Sequence, residues 1–350
     1  MSAGASLIDA FATQVRWCRQ LKAPFTARVI EMLADDWQAA GPTYSAVPRW
    51  DGNAWDDAVP LRLAGALHAL ALQGRDEALA AAYARPDEAL AHDFELRRAV
   101  VGALRRWPDD VAEALRRAPQ TNEVGRSGVL LGGFGFIARH TALPLALHEI
   151  GASAGLNLLW DRFCYRLGES LAWGDAASPV LVECDWSGRP PVLPPAIAVQ
   201  QRRGCDVAPI DAADAEAALR LQSYVWADHR ARLLRLRAAL ALAREHPPAV
   251  DCGEALPWLA AQLNDAPREG VTTVVVHSLV WQYLGDAQRQ GIRALLDSVG
   301  ERATPRAPLA WLRMEPYPNG STELKLTLWP GGVRRLLAQC QPHGATASWH

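Results

Sequence analysis

The 350-residue sequence lacks several features that would place it in a common functional class. Its formal net charge of -2 provides no overall basic field, so nucleic acid is not an expected partner. No uninterrupted apolar run reaches the ~18 residues of a transmembrane helix, so no membrane partner is expected either. The six cysteines form no CxxC pair, and HExxH and EF-hand spacings are missing, so no metal is expected.

The sequence also shows no secretory segment ahead of its cysteines. We therefore expect reduced thiols and a cytoplasmic protein. Half of the residues are hydrophobic and 21% are charged, which is typical of a folded chain and excludes a disordered one. The partner that remains is a small-molecule ligand.

Two parts of the chain follow different patterns. Up to residue 120, apolar residues recur at helical spacing and prolines separate the segments, which predicts an all-α domain at 1–120. After Pro119, short β-branched or apolar runs alternate with helical stretches, as in a parallel α/β sheet. We predict that this second domain covers residues 121–350.

The second domain is predicted to contain seven strands and one insertion. A Pro/Gly-rich connection joins the final strands, which favours an antiparallel pair at one edge of the sheet. The segment at about 165–198, with Trp173 and Pro179, is expected to be an inserted hairpin or loop. The predicted strands are Leu145–Ile150, Gly204–Ala208, Ala249–Cys252, Thr272–His277, Leu309–Met314, Glu323–Trp329 and Ala345–Trp349.

The most informative local sequence is LALHEIGASAGLN at 145–157, which predicts a strand, a turn of small residues and a helix. Gly151 can adopt a turn conformation closed to other residues, and Gly155 permits close approach of the helix to the strand or to a ligand. Glu149 lies at the carboxyl end of the strand and can accept hydrogen bonds from a ligand. Ser153 replaces the second glycine of a dinucleotide-binding GxGxxG, which disfavours NAD and FAD.

The same five residues, Gly151 to Gly155, also match GxSxG, the nucleophile elbow of the α/β-hydrolases. In this alternative Ser153 is the nucleophile, and Leu131–Phe134 supplies an oxyanion-hole loop. Asp251 with either His277 or His343 completes the order Ser, acid, His. Against it, an elbow of that fold normally follows several strands, whereas the first 120 residues predict only helices.

Residues 120–350 resemble the class I methyltransferases, because the first of seven strands ends in Glu-x-Gly-x-x-x-Gly and further stretches follow in that family's order. These stretches are GCDVAP at 204–209, GEAL at 253–256 and VVVHS at 274–278. The resemblance implies a Rossmann-like sheet with an antiparallel edge pair. It also implies S-adenosylmethionine as the cofactor and methyl transfer to an unknown acceptor as the reaction.

The resemblance further implies which residues would hold the cofactor. It would bind over Gly151, Ser153 and Gly155, with Glu149 as a polar anchor. Asp206 would receive the ribose hydroxyls and Glu254 the adenine amine. Each acid also has an ordinary structural explanation: burial against helix amides for Glu149, turn capping for Asp206, with Asp211 as its substitute, and a helix first turn for Glu254.

A more extensive resemblance runs through nearly the whole chain. QTNEVGR at 120–126, GASAGLNLLWDRF at 151–163, VVVHSLVWQYL at 274–284, and WLRMEP followed by LWPGG resemble the bacterial family called domain of unknown function 2332. That family implies no established reaction. A non-catalytic binding module on the same fold therefore stays open beside the methyltransferase and the hydrolase.

Candidate catalytic residues follow the fourth predicted strand. Histidine is the side chain that most readily exchanges a proton near neutral pH, so His277 is the candidate base or acceptor-orienting group, although a lone histidine is more often structural. Tyr283 is expected to line the same pocket. Asn122, Glu123 and Arg126 are candidate substrate contacts, because their segment is expected to cross the cleft between the two domains; a solvated linker is the alternative.

Overall fold

The computed structural model describes residues 3–317 and 320–350, with side chains described from Leu7 onward. The chain forms two compact units. The first contains the described residues up to Thr121 together with Ala215–Leu234, and the second contains Asn122–Asp214 and Arg235–His350. Residues 215–234, which the sequence analysis assigned to the second domain, thus belong to the first unit.

The first unit is helical, and its described residues contain no strand. Four of its helices begin at a proline, where the missing N–H costs no hydrogen bond and φ is already suitable. These prolines begin helices, whereas the sequence analysis used prolines as helix ends. The helices are α1 (Ala3–Gln20), α2 (Pro24–Gln38), α3 (Pro42–Ala46), α4 (Val59–Leu72), α5 (Glu77–Ala84), α6 (Pro86–Ala91), α7 (Asp93–Arg106) and α8 (Pro108–Arg116).

The second unit contains the other helices and a large mixed sheet. Its helices are α9 (Ser127–Thr141), α12 (Ala255–Gln262) and α13 (Asp286–Glu301), while α10 (Ala215–Ser223) belongs to the first unit and α11 (Arg230–Glu245) includes residues of both. The strands are β1 (Leu145–Ile150), β2 (Cys164–Leu167), β3 (Leu171–Gly174), β4 (Leu181–Gly188), β5 (Val199–Asp206), β6 (Val250–Cys252), β7 (Thr272–Ser278), β8 (Leu309–Pro316), β9 (Thr322–Trp329), β10 (Val333–Cys340) and β11 (Thr346–Trp349).

The sheet has eleven strands where the sequence predicted seven. Their order is β3-β2-β4-β11-β10-β9-β8-β7-β1-β5-β6. All seven predicted strands are present, but β2, β3 and β4 lie in the segment expected to be an insertion, and they extend the sheet. The fourth additional strand, β10, was missed because VRRLLAQC has an exposed first half with two adjacent arginines and no strict alternation.

The predicted antiparallel pair at one edge of the sheet is wrong. The two strands in question are β9 and β11, and β10 lies between them, antiparallel to both. Neither is an edge strand, because β11 also pairs in parallel with β4 and β9 pairs with β8. The edges are β3 and β6. A hairpin connection predicts local pairing, but only the complete sheet determines which strand is at an edge.

Several helices also differ from the predictions. Helix α9 was not predicted; it contains glycines at 128, 132, 133 and 135, and glycine is a poor helix former. They are needed for packing, since a Cβ atom on Gly133 would lie 2.6 Å from Leu312 Cδ1 of β8. The helix predicted after the glycine turn is a 3-10 helix over Leu156–Arg162. No described helix is both long and apolar enough to cross a bilayer.

Candidate functional site

Strand β1 occupies the point where the sheet changes direction. After β2, β3 and β4, which lie at the far end of the sheet, the chain adds β5 and β6 on one side of β1 and then β7 and β8 on the other, all five in parallel. In open parallel sheets, ligands bind at the carboxyl ends of the strands at such a point. The candidate site therefore lies beyond the carboxyl ends of β1 and β7.

The turn after β1 contains three residues with positive φ, at Gly151 (+70°), Ser153 (+55°) and Gly155 (+69°). The two glycines are required by close packing within this chain. A Cβ atom on Gly151 would collide with Val280, and one on Gly155 would lie 2.8 Å from both Pro248 and Val250. The glycine spacing that suggested a ligand thus has a packing explanation as well.

Glu149 is the most unusual side chain of this region. It is 3% exposed, and its Oε2 atom has no hydrogen-bond partner among the described residues. Burial raises the pKa of Glu149 to about 8, although the nearby charge of Arg126 acts to lower it, and Asp206 adds to the increase. A buried polar group without a partner costs free energy, so a ligand that donates a hydrogen bond to this carboxyl group would remove that cost.

Two further buried oxygen atoms follow Glu149 along the chain. Ser153 is 3% exposed and Asn157 is 4% exposed, and neither Ser153 Oγ nor Asn157 Oδ1 has a hydrogen-bond partner among the described residues. The amide nitrogen of Asn157 donates to the carbonyl oxygen of Glu123 at 3.2 Å. One short segment thus presents three unsatisfied acceptor or hydroxyl groups in buried surroundings.

The candidate contacts Asn122, Glu123 and Arg126 belong to the second unit, and two of them bind the elements around the turn. Asn122 Oδ1 accepts from the backbone N–H of Leu156 at 2.9 Å, directly after the turn. Arg126 donates to the carbonyl oxygen of Ser278, at the end of β7, at 3.1 Å. The alternative of a solvated linker does not hold for Asn122 and Glu123, which are both 7% exposed.

Glu123 contacts one local and two distant segments of the second unit. Its Oε1 accepts from the N–H of Gly125 at 2.9 Å and lies 3.5 Å from the Arg235 guanidinium. Its Oε2 lies 3.7 Å from Nδ1 of His343. Glu123 therefore links the start of the 3-10 turn at 124–126 to α11 and to the segment before β11.

The other two predicted acids differ in position. Asp206, at the end of β5, accepts from the N–H of Ser153 at 2.9 Å and from the N–H of Ala208 at 3.0 Å, so it joins the glycine turn. Its substitute Asp211 is exposed and accepts from its own turn at Ala213. Glu254 is exposed and accepts from Gln288 at 3.1 Å.

His277, like Glu149, lies near the carboxyl end of its strand, but it is on the opposite face of the sheet. Register partners in neighbouring strands share a face, and Glu149 pairs with Val276, one residue before His277. His277 is fully buried, with Nδ1 2.6 Å from Oε1 of Glu315 and no partner for Nε2 among the described residues. Trp281 stacks on its ring at a centroid distance of 5.0 Å.

The structure does not place Tyr283 beside His277. Tyr283 is 79% exposed, and the aromatic side chain on the histidine is Trp281, two residues earlier. Sequence reasoning missed Trp281 and Glu315. Glu315 directly follows the predicted strand Leu309–Met314, and a carboxylate at the end of the strand next to the histidine strand was the signal that could have revealed it.

The proposed Ser–acid–His arrangement is not assembled with Asp251. Both of its oxygens are engaged by Arg203, at 2.6 and 2.7 Å, and Trp258 also donates to it at 2.7 Å. The hydrogen bond from Arg203 lowers the pKa of Asp251. The predicted oxyanion-hole loop, Leu131–Phe134, is interior to α9, where its N–H groups belong to the helix.

Cavities and metal ligands do not extend this site. A cavity of about 540 Å³ in the first unit is lined by α5, α6, α7 and the residues that join them, and by none of the predicted site residues. Within 3–317 and 320–350, no group of three or more His, Cys, Asp or Glu side chains is arranged to hold a metal ion.

Comparison with known proteins agrees with one of the two resemblances. No curated protein and no solved structure matches this chain. A bacterial protein family, described as "Uncharacterized protein conserved in bacteria (DUF2332)", matches residues 8–349. Because this match covers almost the whole chain, including the glycine turn and the histidine strand, the protein belongs to the DUF2332 family.

Proposed function

We propose that this protein binds S-adenosylmethionine at the carboxyl ends of β1 and β5 and transfers its methyl group to a small-molecule acceptor. The observation that carries the proposal is Glu149, a buried carboxyl group with an unsatisfied oxygen at the point where the strand order reverses. Such a group needs a donor, and a cationic ligand group satisfies it better than a neutral one.

Further support comes from the strand order. In the proposed fold, β6-β5-β1-β7-β8 is the parallel Rossmann-like part of a methyltransferase-like domain within residues 121–350, and the remaining strands extend it. The end of β5 supplies Asp206 to the same turn.

The chain's own residues have separate tasks in this proposal. Glu149, Ser153 and Asp206 hold the cofactor, which when bound supplies an electrophilic methyl group on a sulfonium. Arg126 holds the end of β7 through the Ser278 carbonyl oxygen. Glu254 is exposed and thus the least constrained of the proposed cofactor contacts.

In this proposal His277 is the general base that accepts a proton from the methyl acceptor. Glu315 accepts from the N–H groups of Val280 and Trp281, at 3.2 and 3.3 Å, which identifies it as an acceptor. The 2.6 Å contact then assigns a donor hydrogen to His277 Nδ1, so that in the neutral imidazole Nε2 is the nitrogen with a lone pair. That tautomer accepts a proton at Nε2, as a general base requires.

Calorimetry with S-adenosylmethionine and its demethylated product tests the proposal. We expect saturable binding, and at least tenfold weaker binding by Glu149→Gln, whereas the exposed control Glu301→Gln binds like the wild type. Because the pKa of Glu149 is about 8, a cationic ligand group at Oε2 should displace a proton at pH 7. The heat will then depend on the ionisation enthalpy of the buffer. No binding by folded protein would overturn the proposal.

A serine hydrolase is the second candidate, favoured by one observation. Ser153 combines a positive φ with a buried hydroxyl that has no partner among the described residues, as in a strained turn that presents a nucleophile. A fluorophosphonate probe tests it: labelling of the wild type that Ser153→Ala abolishes would select the hydrolase. If the cofactor binds and neither activity is found, the protein is a binding module.

A further inference from the structure

A second set of charged side chains lies on the face of the sheet that carries His277. His277 of β7 is the register partner of Arg313 of β8, and Arg313 is the register partner of Lys325 of β9. In the adjacent row Trp311 pairs with Thr327, which pairs with Arg334 of β10. These residues share one face, because register partners and alternate residues of a strand point to the same side.

Arg313 is the central residue of this face. Its guanidinium lies 3.9 Å from the ring centroid of Trp311, and its Nη1 donates to Thr327 Oγ1 at 3.1 Å. Among the described residues no carboxylate lies within 4.0 Å of it. Burial lowers the pKa of Arg313 to about 10, and the positive charge of Arg334 adds to this decrease. The side chain nevertheless keeps its charge at neutral pH.

Two more arginines act on Arg313 without acidic partners of their own. Arg293 of α13 is exposed and lies over the ring of Trp281 at 5.3 Å, and Arg334 is exposed at the start of β10. Neither forms an ion pair with the part of the chain that the structure describes. Lys325 differs, because it lies 2.6 Å from Glu323. The face thus contains three guanidinium groups without an ion-pair partner among the described residues, and two of them, Arg293 and Arg334, raise the electrostatic potential at Arg313.

We propose that Arg313, with Arg293 and Arg334, binds the phosphate group of a small molecule. A partly buried cation without a counter-ion is costly, and like charges beside it increase that cost, so an anion at this position is strongly favoured. A planar guanidinium binds two oxygens of one phosphate in parallel. A dianionic phosphate compensates several cations, whereas a carboxylate compensates one.

The position of this site relative to His277 indicates what the ligand does. Because Arg313 and His277 are register partners, an anion on Arg313 lies on the same face as the unpartnered Nε2 of His277. The phosphate group would therefore anchor the methyl acceptor, a phosphorylated small molecule. This assignment of the ligand as the acceptor rests on the proposed function, but phosphate binding itself does not.

Titration with inorganic phosphate and with phenyl phosphate tests the site, at constant ionic strength set with chloride. We expect both to bind the wild type and to raise its melting temperature. Arg313→Gln should weaken binding at least tenfold and abolish this stabilisation. Arg189→Gln, which removes an exposed arginine elsewhere, should bind like the wild type. Tighter binding of phenyl phosphate would identify a phosphate ester as the natural ligand, and equal binding a phosphate group alone.

Further measurements distinguish an unstable variant from a wrong phosphate site, and a wrong phosphate site from a wrong proposed function. Arg334→Gln changes an exposed side chain, so the variant should fold and still weaken phosphate binding severalfold, even if Arg313→Gln proves unstable. No phosphate binding at millimolar concentration, or an equal loss in Arg189→Gln, would overturn the site. Calorimetry with the demethylated cofactor is run on the same samples. Phosphate binding without cofactor binding would reject the proposed function and support the phosphate site. Cofactor binding without phosphate binding would reject the phosphate site and support the proposed function.

Discussion

Glu149 and Arg313 lie towards the carboxyl ends of their strands, on opposite faces of the sheet. Glu149 is buried and Arg313 is partly buried, and neither has an oppositely charged partner in contact among the described residues. Their responses to burial differ. Burial raises the pKa of Glu149 to about 8, so the acid can take up a proton and become neutral near pH 7. Burial lowers the pKa of Arg313 only to about 10, so the arginine stays charged.

The difference shows that the same physical penalty has two outcomes. An acid can avoid the cost of an unpaired buried charge by binding a proton, so Glu149 can remain neutral until a ligand arrives. An arginine has no such option at neutral pH, so an anion must compensate the charge or the protein bears the cost. The Glu149 face therefore fits a ligand that brings a donor, and the Arg313 face one that brings an anion.

The largest expected effect concerns the reaction, and it tests whether the two faces have separate tasks. General-base catalysis contributes about 100- to 10,000-fold, so His277→Ala should lower methyl transfer by that order. The affinity for the demethylated cofactor should remain within about twofold, because Glu149 is on the other face. Single-turnover transfer from labelled cofactor to a phosphorylated acceptor measures the first quantity, and calorimetry the second. If His277→Ala lowered the cofactor affinity as much as the rate, the two faces would form one site and would not have separate tasks.

A second prediction concerns pH-dependent stability. The folded pKa of Glu149, about 8, exceeds its ordinary value of 4.5, so wild-type stability should be full below pH 4.5 and fall as the pH rises towards 8. The loss from this group is about 5 kcal/mol at most, since its pKa rises from 4.5 to about 8 and one pKa unit corresponds to about 1.4 kcal/mol. Glu149→Gln, which mimics the neutral acid, should lack this decline.

Urea unfolding at pH 5 and at pH 9 provides the measurement. The stability difference between Glu149→Gln and the wild type should grow over this range in favour of the variant. Arg313→Gln should instead run parallel to the wild type, because Arg313 stays charged throughout most of it. Parallel curves for Glu149→Gln would mean that the buried carboxyl group is compensated in another way.

The third prediction concerns the contact that links the two faces. Gly151 follows the Glu149 strand, and its packing partner Val280 donates to Glu315 beside His277. Gly151→Ala adds a Cβ at positive φ and against Val280, so it should destabilise the protein by about 1–3 kcal/mol. Gly253→Ala is the control, because nothing lies within 4 Å of its added Cβ. A smaller cost of Gly151→Ala in a Val280→Ala background would confirm the contact by a double-mutant cycle.

The smallest expected effect is that of Tyr283. Because its side chain is 79% exposed, Tyr283→Ala should change the free energy of unfolding by less than about 0.5 kcal/mol. It should also leave methyl transfer unchanged, in contrast to the stacked Trp281, whose replacement by alanine should reduce both stability and rate. Thermal unfolding and the transfer assay measure these quantities. A large loss of rate in Tyr283→Ala would show that the exposed ring closes over the acceptor.

The sequence by itself determined features that depend on neighbouring residues. Helical periodicity up to residue 120 and apolar β-branched runs after it located most helices and seven of the eleven strands, since these patterns repeat within single elements. The carboxyl-end position of Glu149 and the turn at Gly151–Gly155 also followed from the local sequence. The family match over residues 8–349 agrees with the resemblance to DUF2332.

Only the tertiary structure decided which distant residues share a face and which lose water. Arg313 is beside His277 because β8 pairs with β7, and no local pattern indicates the register of two strands 36 positions apart. The same pairing brings Glu315 to His277, and Tyr283 is exposed in the turn that follows β7. The desolvation of Glu149 likewise comes from segments far along the chain. Strand pairing and burial are long-range properties, so the identity of a strand can be predicted locally but its neighbours, and the charges they confine, cannot.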